Sequence, residues 1–87
     1  MFVIMVYDVN EKRVGKALKI SRKYLNWVQN SVFEGEITKA KLVKLKTEMK
    51  NLINKDEDSV IFYELRSTSY TNRDIIGLQK GNDDIFL

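Results

Sequence analysis

The chain opens with an apolar stretch that ends in a carboxylate: Phe2-Val3-Ile4-Met5-Val6-Tyr7 and then Asp8. Its shortness and its many β-branched and aromatic residues favour a strand over a helix. Because polar residues do not alternate with apolar ones, we expect both faces of this strand to be buried, in the middle of a sheet. Asp8 would then lie at the carboxyl end of a central strand, where α/β sheets often place functional groups.

A basic helix is predicted next. From Glu11 onward, apolar residues recur with the helical period, and Asn10 or Asp8 can supply the oxygen that caps the first turn. The predicted buried stripe consists of Val14, Ala17, Leu18 and Leu25. The opposite face carries Lys12, Arg13, Lys16, Lys19, Arg22 and Lys23.

The segment from Trp27 to Ile37 reads as extended, with apolar groups on both sides. Two interpretations stay open. Either it is one long bent strand, or it breaks near Asn30-Ser31, where no glycine or proline marks a turn. Gly35 indicates a bulge or a close approach of another part of the backbone.

The second half repeats the alternation of helix and strand. Thr38 is a good cap for an amphipathic helix from Lys39 to about Asn54, and Ser59 to Leu65 reads as a second central strand. Arg73 to Leu78 is predicted to form a final short strand. The order of elements predicts an α+β fold, a ferredoxin-like sandwich (βαββαβ with an extra C-terminal strand) that carries both helices on one face.

Composition bounds what this protein can be. Its 87 residues suit one domain, and 44% hydrophobic with 31% charged residues argues against disorder and against a membrane protein. A core this small is marginal, so self-association is expected. The apolar start has no basic segment before it and is interrupted early by Asp8, which favours a cytoplasmic protein over a secreted one.

The chain has no cysteine and no histidine. This excludes disulfides, Cys/His zinc sites, cysteine nucleophiles and Ser-His-Asp arrangements. Carboxylates remain, together with Lys, Tyr, Ser and Arg, so any enzyme is expected to be metal-assisted. The net charge of +3 favours polyanionic partners, although a merely solvated lysine-rich surface explains it equally well.

Two residues stand out as candidates. Asp8 caps the first helix or, in the functional interpretation, binds a cation, but a lone carboxylate is a poor Mg²⁺ site unless a two-fold axis supplies a second one. Arg13 is close enough to Asp8 in sequence to meet a phosphate held there, or it is simply a solvated charge on a helix. Pattern alone favours the structural interpretation of both.

Three sequence motifs are characteristic: Val6-Tyr7-Asp8-Val9, Gln29-x-Ser31-Val32-Phe33-Glu34-Gly35, and Asp74-Ile75-Ile76-Gly77. Together they resemble the small CRISPR-associated endoribonuclease family, the second in the usual Cas numbering. The resemblance implies a ferredoxin-like homodimer with a core of about residues 1–72. Residues 73–87 would form the strand that extends the partner's sheet, and a tail.

The resemblance also implies a site. Two copies of Asp8 would face each other across the two-fold axis and bind Mg²⁺, with Mn²⁺ as a substitute, for cleavage of RNA or DNA by activated water. Arg13 would contact phosphate, and Ser31 and Phe33 would belong to the active region. Some members of the family have a basic residue where this chain has Trp27.

A second role implied by the resemblance needs no catalysis. The dimer would bridge integrase subunits during spacer acquisition and lie along captured double-stranded DNA, with single-stranded RNA as the alternative nucleic acid. Lysine-rich helix faces suit such sequence-independent phosphate contact. Two other classes stay open: a toxin-type ferredoxin-like ribonuclease outside CRISPR immunity, and a small-ligand regulatory domain of the same fold.

Overall fold

A computed structural model of the protein describes residues 1–66 and 76–77. Four strands and two helices make up this part of the chain. They are β1 (Phe2–Asp8), α1 (Glu11–Tyr24), β2 (Asn26–Gln29), β3 (Val32–Glu36), α2 (Lys39–Leu52) and β4 (Ser59–Leu65). Their order is βαββαβ, and the predicted α+β, ferredoxin-like fold is confirmed.

The four strands form one antiparallel sheet in the order β2-β3-β1-β4. The predicted central position of β1 is confirmed. Both helices pack on one side of this sheet, where Val3 and Met5 of β1 share a core with Leu45 and Met49 of α2 and with Ala17 of α1. This core is the hydrophobic layer that holds helices and sheet together.

The two faces of β1 differ in burial. Val3, Met5 and Tyr7 are buried under the helices, whereas Ile4 and Val6 on the other face are only half-buried. The prediction that both faces of β1 are buried is therefore wrong for the single chain, because helices cover one side of the sheet only.

Strand β4 was predicted to be central and instead lies at one end of the sheet formed by the described strands. The hairpin of β2 and β3 pairs on the other side of β1, so β4 has a single described neighbour. Ile61 and Tyr63 of β4 are 47% and 55% exposed. These apolar side chains, which suggested a central strand, face outward in the single chain.

The open question between the helices is resolved in favour of two strands. The chain turns at Asn30-Ser31, where Asn30 adopts φ 44°, a left-handed conformation that asparagine tolerates better than most residues. Gly35 marks a close approach, but the atoms nearest to it belong to side chains and not, as was predicted, to the backbone. A Cβ atom at this position would lie 3.3 Å from Nδ2 of Asn26 and 3.6 Å from Cδ2 of Leu25.

The helix ends show which residues cap them. The side chain of Asn10 accepts a hydrogen bond from the Lys12 amide at 3.0 Å, so Asn10 caps α1 and Asp8 does not. Thr38 caps α2 as predicted, but this helix ends at Leu52 rather than near Asn54.

One member of the stripe predicted for α1 is misplaced. Val14 is 40% exposed, and Ser21 is fully buried instead. Its hydroxyl donates to the Ala17 carbonyl at 2.7 Å, which satisfies the polar group inside the core.

The predicted final strand at 73–78, and the dimer-crossing segment and tail at 73–87, lie outside the described residues except for Ile76 and Gly77. Neither of these two belongs to a strand in the single chain, and Gly77 has φ 99°. Among the helices of the described part, none has the length and apolar character needed to cross a membrane.

Candidate functional site

The side of the sheet away from the helices is largely apolar. Residues opposite each other in antiparallel strands share a face, and the register pairs Ile4 with Tyr63 and Val6 with Ile61. We call this side the open face. Its side chains are Phe2, Ile4, Val6, Val32, Ile61, Tyr63 and Leu65, with Glu34 and Glu36 toward one end.

Asp8 lies at the other end of the open face. It pairs with Ser59 in the register of β1 and β4, two residues beyond the pair of Val6 and Ile61. Side chains alternate along a strand, so Asp8 is on the same side as Val6. The residue is exposed, and its carboxylate has no hydrogen bond or ion pair with any residue in 1–66. The site therefore presents an accessible anion beside an apolar surface.

Ser31 lies next to the end of β1. The Tyr7 amide donates a hydrogen bond to the Ser31 carbonyl at 3.1 Å, which holds the turn between β2 and β3 beside the residue that precedes Asp8. The structure thus brings Ser31 to the same end of the sheet as Asp8. A role of the Ser31 hydroxyl in catalysis stays a prediction.

Phe33 occupies the core. It pairs with Met5, its side chain is fully buried, and its ring stacks on Tyr7 with centroids 6.1 Å apart and planes 20° apart. Tyr7 is buried too, and its own burial raises the pKa of its hydroxyl. Because no part of Phe33 reaches the surface of the single chain, a contribution to an active region would act through the packing of β1.

Arg13 is bound within its own chain. Its Nε donates to Oδ2 of Asp58 at 2.6 Å and its Nη2 to Oδ1 at 3.1 Å, a two-pronged ion pair. Nη2 also donates to Oε1 of Glu57 at 2.9 Å. Hydrogen bonds to Asp58 and then to Glu57 raise the pKa of Arg13. The phosphate contact predicted for Arg13 stays a prediction, and its guanidinium has a structural role.

Asp58 is the residue that sequence reasoning missed. Its side chain has no exposed area, and besides Arg13 it accepts from the amides of Asn10 at 2.8 Å and Asn54 at 2.9 Å. The hydrogen bond from Arg13 is the main cause that holds the pKa of Asp58 well below its ordinary value. In the sequence Asp58 is one of three acids in a polar loop, and no local pattern separates it from Asp56 and Glu57.

The described residues of one chain do not make a complete metal site, because they contain no group of three or more His, Cys, Asp or Glu side chains that could hold an ion. Mg²⁺ is commonly bound by one or two carboxylates together with substrate phosphates. Asp8 fits that description as one ligand of a shared site. A second copy of Asp8 would supply the other carboxylate.

Both helices present cations to solvent. The exposed basic residues of α1 are Lys12, Lys16, Lys19, Arg22 and Lys23. Those of α2 are Lys39, Lys41, Lys44 and Lys50. Lys23 pairs with Glu48 and the half-buried Lys46 pairs with Glu64. The predicted basic faces are thus accessible to a polyanion, on the side of the molecule opposite the open face.

These features define a small ferredoxin-like protein with one accessible carboxylate at the end of its central strand and lysine-rich helices behind it. The chain belongs to the Cas2 family, because the family model described as CRISPR associated protein Cas2 matches residues 1–73. The resemblance seen in the sequence is therefore confirmed. Of the three classes left open, the CRISPR-associated one agrees with this membership.

Similar proteins cover nearly all of the chain. The CRISPR-associated endoribonuclease Cas2 of Dictyoglomus turgidum is 55% identical over 87 residues, all of both chains. The Thermotoga maritima protein of the same name is 59% identical over 83 residues, 95% of each. A crystal structure of Cas2 superposes with a TM-score of 0.84 at 42% identity, covering 92% of this chain and 90% of that one. Streptococcus pyogenes Cas2 gives 0.75 at 33%, covering 86% and 99%.

Proposed function

We propose that this protein is a CRISPR adaptation protein that acts as a homodimer on nucleic acid. In this proposal it cleaves phosphodiester bonds of RNA or DNA with Mg²⁺ held by two Asp8 carboxylates, and it scaffolds spacer integration together with an integrase subunit. The single observation that carries the nuclease part is the position of Asp8 at the end of an apolar face, exposed and with a carboxylate that binds no other side chain or amide in residues 1–66. The endoribonuclease name of its relatives agrees with it.

The open face supports the dimer. Ile61 and Tyr63 expose about half of their surface there, and Ile4 and Val6 are half-buried beside them. A contiguous exposed apolar patch of this kind marks an interaction surface on a soluble protein. Packing this face on a second copy would remove the patch from water. This burial would stabilise the dimer by about 25 cal/mol of free energy for each Å² of apolar surface that is buried.

The same packing would explain why a carboxylate lies at this position. Asp8 shares the open face, so two copies related by a two-fold axis near this end of β1 would bring two carboxylates together. Like charges that approach closely repel each other unless a cation lies between them. A bound Mg²⁺ would supply positive charge for the scissile phosphate and lower the pKa of a water molecule. In this arrangement Asp8 would hold the ion, and the paired ends of β1 and β4 position Asp8.

The basic helices support the scaffold. The side chains of Lys12, Lys16 and Lys19 follow one another along exposed parts of α1, and α2 adds further lysines. Long flexible cations spread over a helix surface suit the repeated phosphates of a duplex and do not read its sequence. This role needs no reaction at Asp8, so the two parts of the proposal can be tested separately.

The test of the nuclease uses Asp8→Asn in the full chain, with Asp56→Asn as the matched control at another exposed aspartate. Purified protein is given RNA and duplex DNA with Mg²⁺, with Mn²⁺, or with a chelator. We expect Asp8→Asn to lower the cleavage rate by at least about 100-fold, since even residues that only support metal ligands are worth ~10–100-fold. Asp56→Asn should cleave like the unmodified protein.

Metal-dependent cleavage that persists in Asp8→Asn would disprove the assignment of the nuclease to this residue. Spacer acquisition in cells is the separate readout for the scaffold. If acquisition continues in Asp8→Asn, the scaffold does not depend on the nuclease. If acquisition also continues after the exposed lysines of α1 are replaced by glutamine, the proposed basic scaffold is wrong.

A further inference from the structure

We infer that the ion pair of Arg13 and Asp58 is a positioning device for Asp8. It fastens the loop after β1 to the loop before β4 and thereby sets where the Asp8 carboxylate lies on the open face. The importance of this position for catalysis rests on the proposed nuclease, but the position itself can be measured without it.

Hydrogen bonds saturate the Asp58 carboxylate. Its two oxygens accept four hydrogen bonds: Oδ1 from the Asn10 amide and Nη2 of Arg13, and Oδ2 from the Asn54 amide and Nε of Arg13. These donors come from the loop after β1, the first turn of α1 and the segment that follows α2. A buried carboxylate with this many donors joins three parts of the chain at one point.

Asp58 is connected to the residues that flank Asp8 in the chain and across the sheet. Asn10, whose amide binds Asp58, is two residues beyond Asp8, and Ser59, which follows Asp58, is the β4 partner of Asp8. Asp8 is therefore held from both sides by residues that Asp58 anchors. The residue before Asp8 is held as well, because the Tyr7 amide donates a hydrogen bond to the Ser31 carbonyl.

A shared metal site would require accurate positioning of the Asp8 carboxylate. A ligand that shares an ion with a second copy must be held within about 0.5 Å of its productive position, because supporting residues set the geometry. The Asp8 carboxylate has no hydrogen bond of its own among residues 1–66 to provide this support. The support must come from its backbone, and the Asp58 anchor is the structure that fixes this backbone.

The test replaces Asp58 by asparagine in the full-length protein. Whichever way the new amide turns, its NH₂ group faces two donors, so either the Asn10 or the Asn54 amide loses its acceptor. We expect at least one of these amides to exchange hydrogen about 10-fold faster or more, and the NMR signals of the Asp8 amide and carboxyl carbon to shift. Glu57→Gln, which removes only the negative charge of the exposed partner of the same guanidinium, should leave these signals unchanged.

A second variant covers the case in which Asp58→Asn fails to fold. Arg13→Lys keeps the positive charge but cannot donate through two prongs, so the same signals should shift by a smaller amount. Leu45→Val, a core change on the helix that packs over the sheet, controls for lost stability alone and should leave Asp8 in place. Folded Asp58→Asn or Arg13→Lys protein with unchanged Asp8 signals would overturn the inference.

Mn²⁺ binding followed by electron paramagnetic resonance separates this inference from the proposed nuclease. If the unmodified protein binds Mn²⁺, we expect Asp58→Asn to bind it ~10–100-fold more weakly, as for other residues that support metal ligands. Equal Mn²⁺ affinity in both proteins counts against the positioning role. If the unmodified protein binds no Mn²⁺ at all, the proposed metal site fails, and the Asp8 signals still decide whether Asp58 positions this residue.

Discussion

At the scale of single residues, two aspartates of this chain have opposite environments. Asp58 is buried and saturated with donors, whereas Asp8 is exposed and its carboxylate has no hydrogen bond or ion pair with residues 1–66. Burial of a charge is tolerated only when hydrogen bonds and an opposite charge compensate it, so Asp58 is a structural residue. Within the described part of the chain, no donor uses the lone pairs of the Asp8 carboxylate. The contrast is what makes Asp8 the candidate for chemistry and Asp58 the candidate for its support.

The shifted pKa of Asp58 predicts how stability depends on pH. Its pKa in the folded chain lies below the ordinary value of 3.8, so between the two values the unfolded chain binds more protons than the folded one. The stabilisation by Asp58 is therefore complete above about pH 4 and is lost as the pH falls toward the folded value. Glu48, whose pKa is lowered by Lys23 and then by Tyr24, acts in the same direction.

We therefore expect the difference in unfolding free energy between the unmodified protein and Asp58→Asn to be constant at neutral pH and to shrink below about pH 4. Urea unfolding at several pH values and one fixed protein concentration measures it. A difference that does not change with pH would show that the charge of Asp58 contributes nothing.

At the scale of elements, the β2–β3 hairpin is joined to β1 both by strand pairing and by its turn. Its turn has two residues, and Asn30 adopts φ 44°. The Asn30 carbonyl also accepts a hydrogen bond from Nε1 of Trp27 at 2.9 Å, which ties the turn to β2. The same turn lies beside the end of β1, because the Ser31 carbonyl accepts a hydrogen bond from the Tyr7 amide. The hairpin thus pairs with one side of β1, and β4 pairs with the other.

The turn predicts a simple stability ranking at position 30. A left-handed conformation costs an L-residue roughly 1–2 kcal/mol, whereas glycine adopts it freely. Asn30→Val should therefore lower the free energy of unfolding by about 1–2 kcal/mol, and Asn30→Gly should leave it nearly unchanged. The bond from Trp27 is to the backbone, so it survives in both variants. Equal stability of the two variants in urea unfolding would contradict the strained turn.

At the scale of the whole molecule, one side of the sheet is covered and the other is not. The helices cover Val3, Met5 and Tyr7 and present lysines outward. The open face carries apolar residues with Asp8 at its end. A second copy packed on this face and a polyanion bound to the helices would use opposite sides of the protein, so the proposed nuclease and scaffold do not compete for one surface.

The open face predicts an effect on oligomeric state. Ile61→Lys should convert the proposed dimer to a monomer, because a charge in a buried interface is costly unless it is paired. Val43→Lys is the matched control, since Val43 is 58% exposed on α2 and lies outside the open face. Sedimentation equilibrium gives the mass of each protein. A dimer that survives Ile61→Lys, or is lost in Val43→Lys as well, would place the interface elsewhere.

Much of this protein was determined by its amino-acid sequence alone. The alternation of strands with two helices and the cap at Thr38 follow from periodicity and local chemistry, which act between residues near each other in the chain. The strings around Asp8 and Ser31 were sufficient to indicate the family that the comparison confirmed. What remained undetermined were the features that depend on pairing across the sheet.

Only the tertiary structure decided which side of β1 is covered, that β4 lies at the end of the described sheet, and that Asn10 rather than Asp8 caps α1. It alone separated buried Asp58 from its acidic neighbours and joined it to Arg13, 45 residues away. The physical reason is that burial and ion pairing are set by contacts between distant segments, and local sequence carries no record of which segments meet. The Asp8 carboxylate neither caps α1 nor binds Arg13, because Asn10 and Asp58 do so.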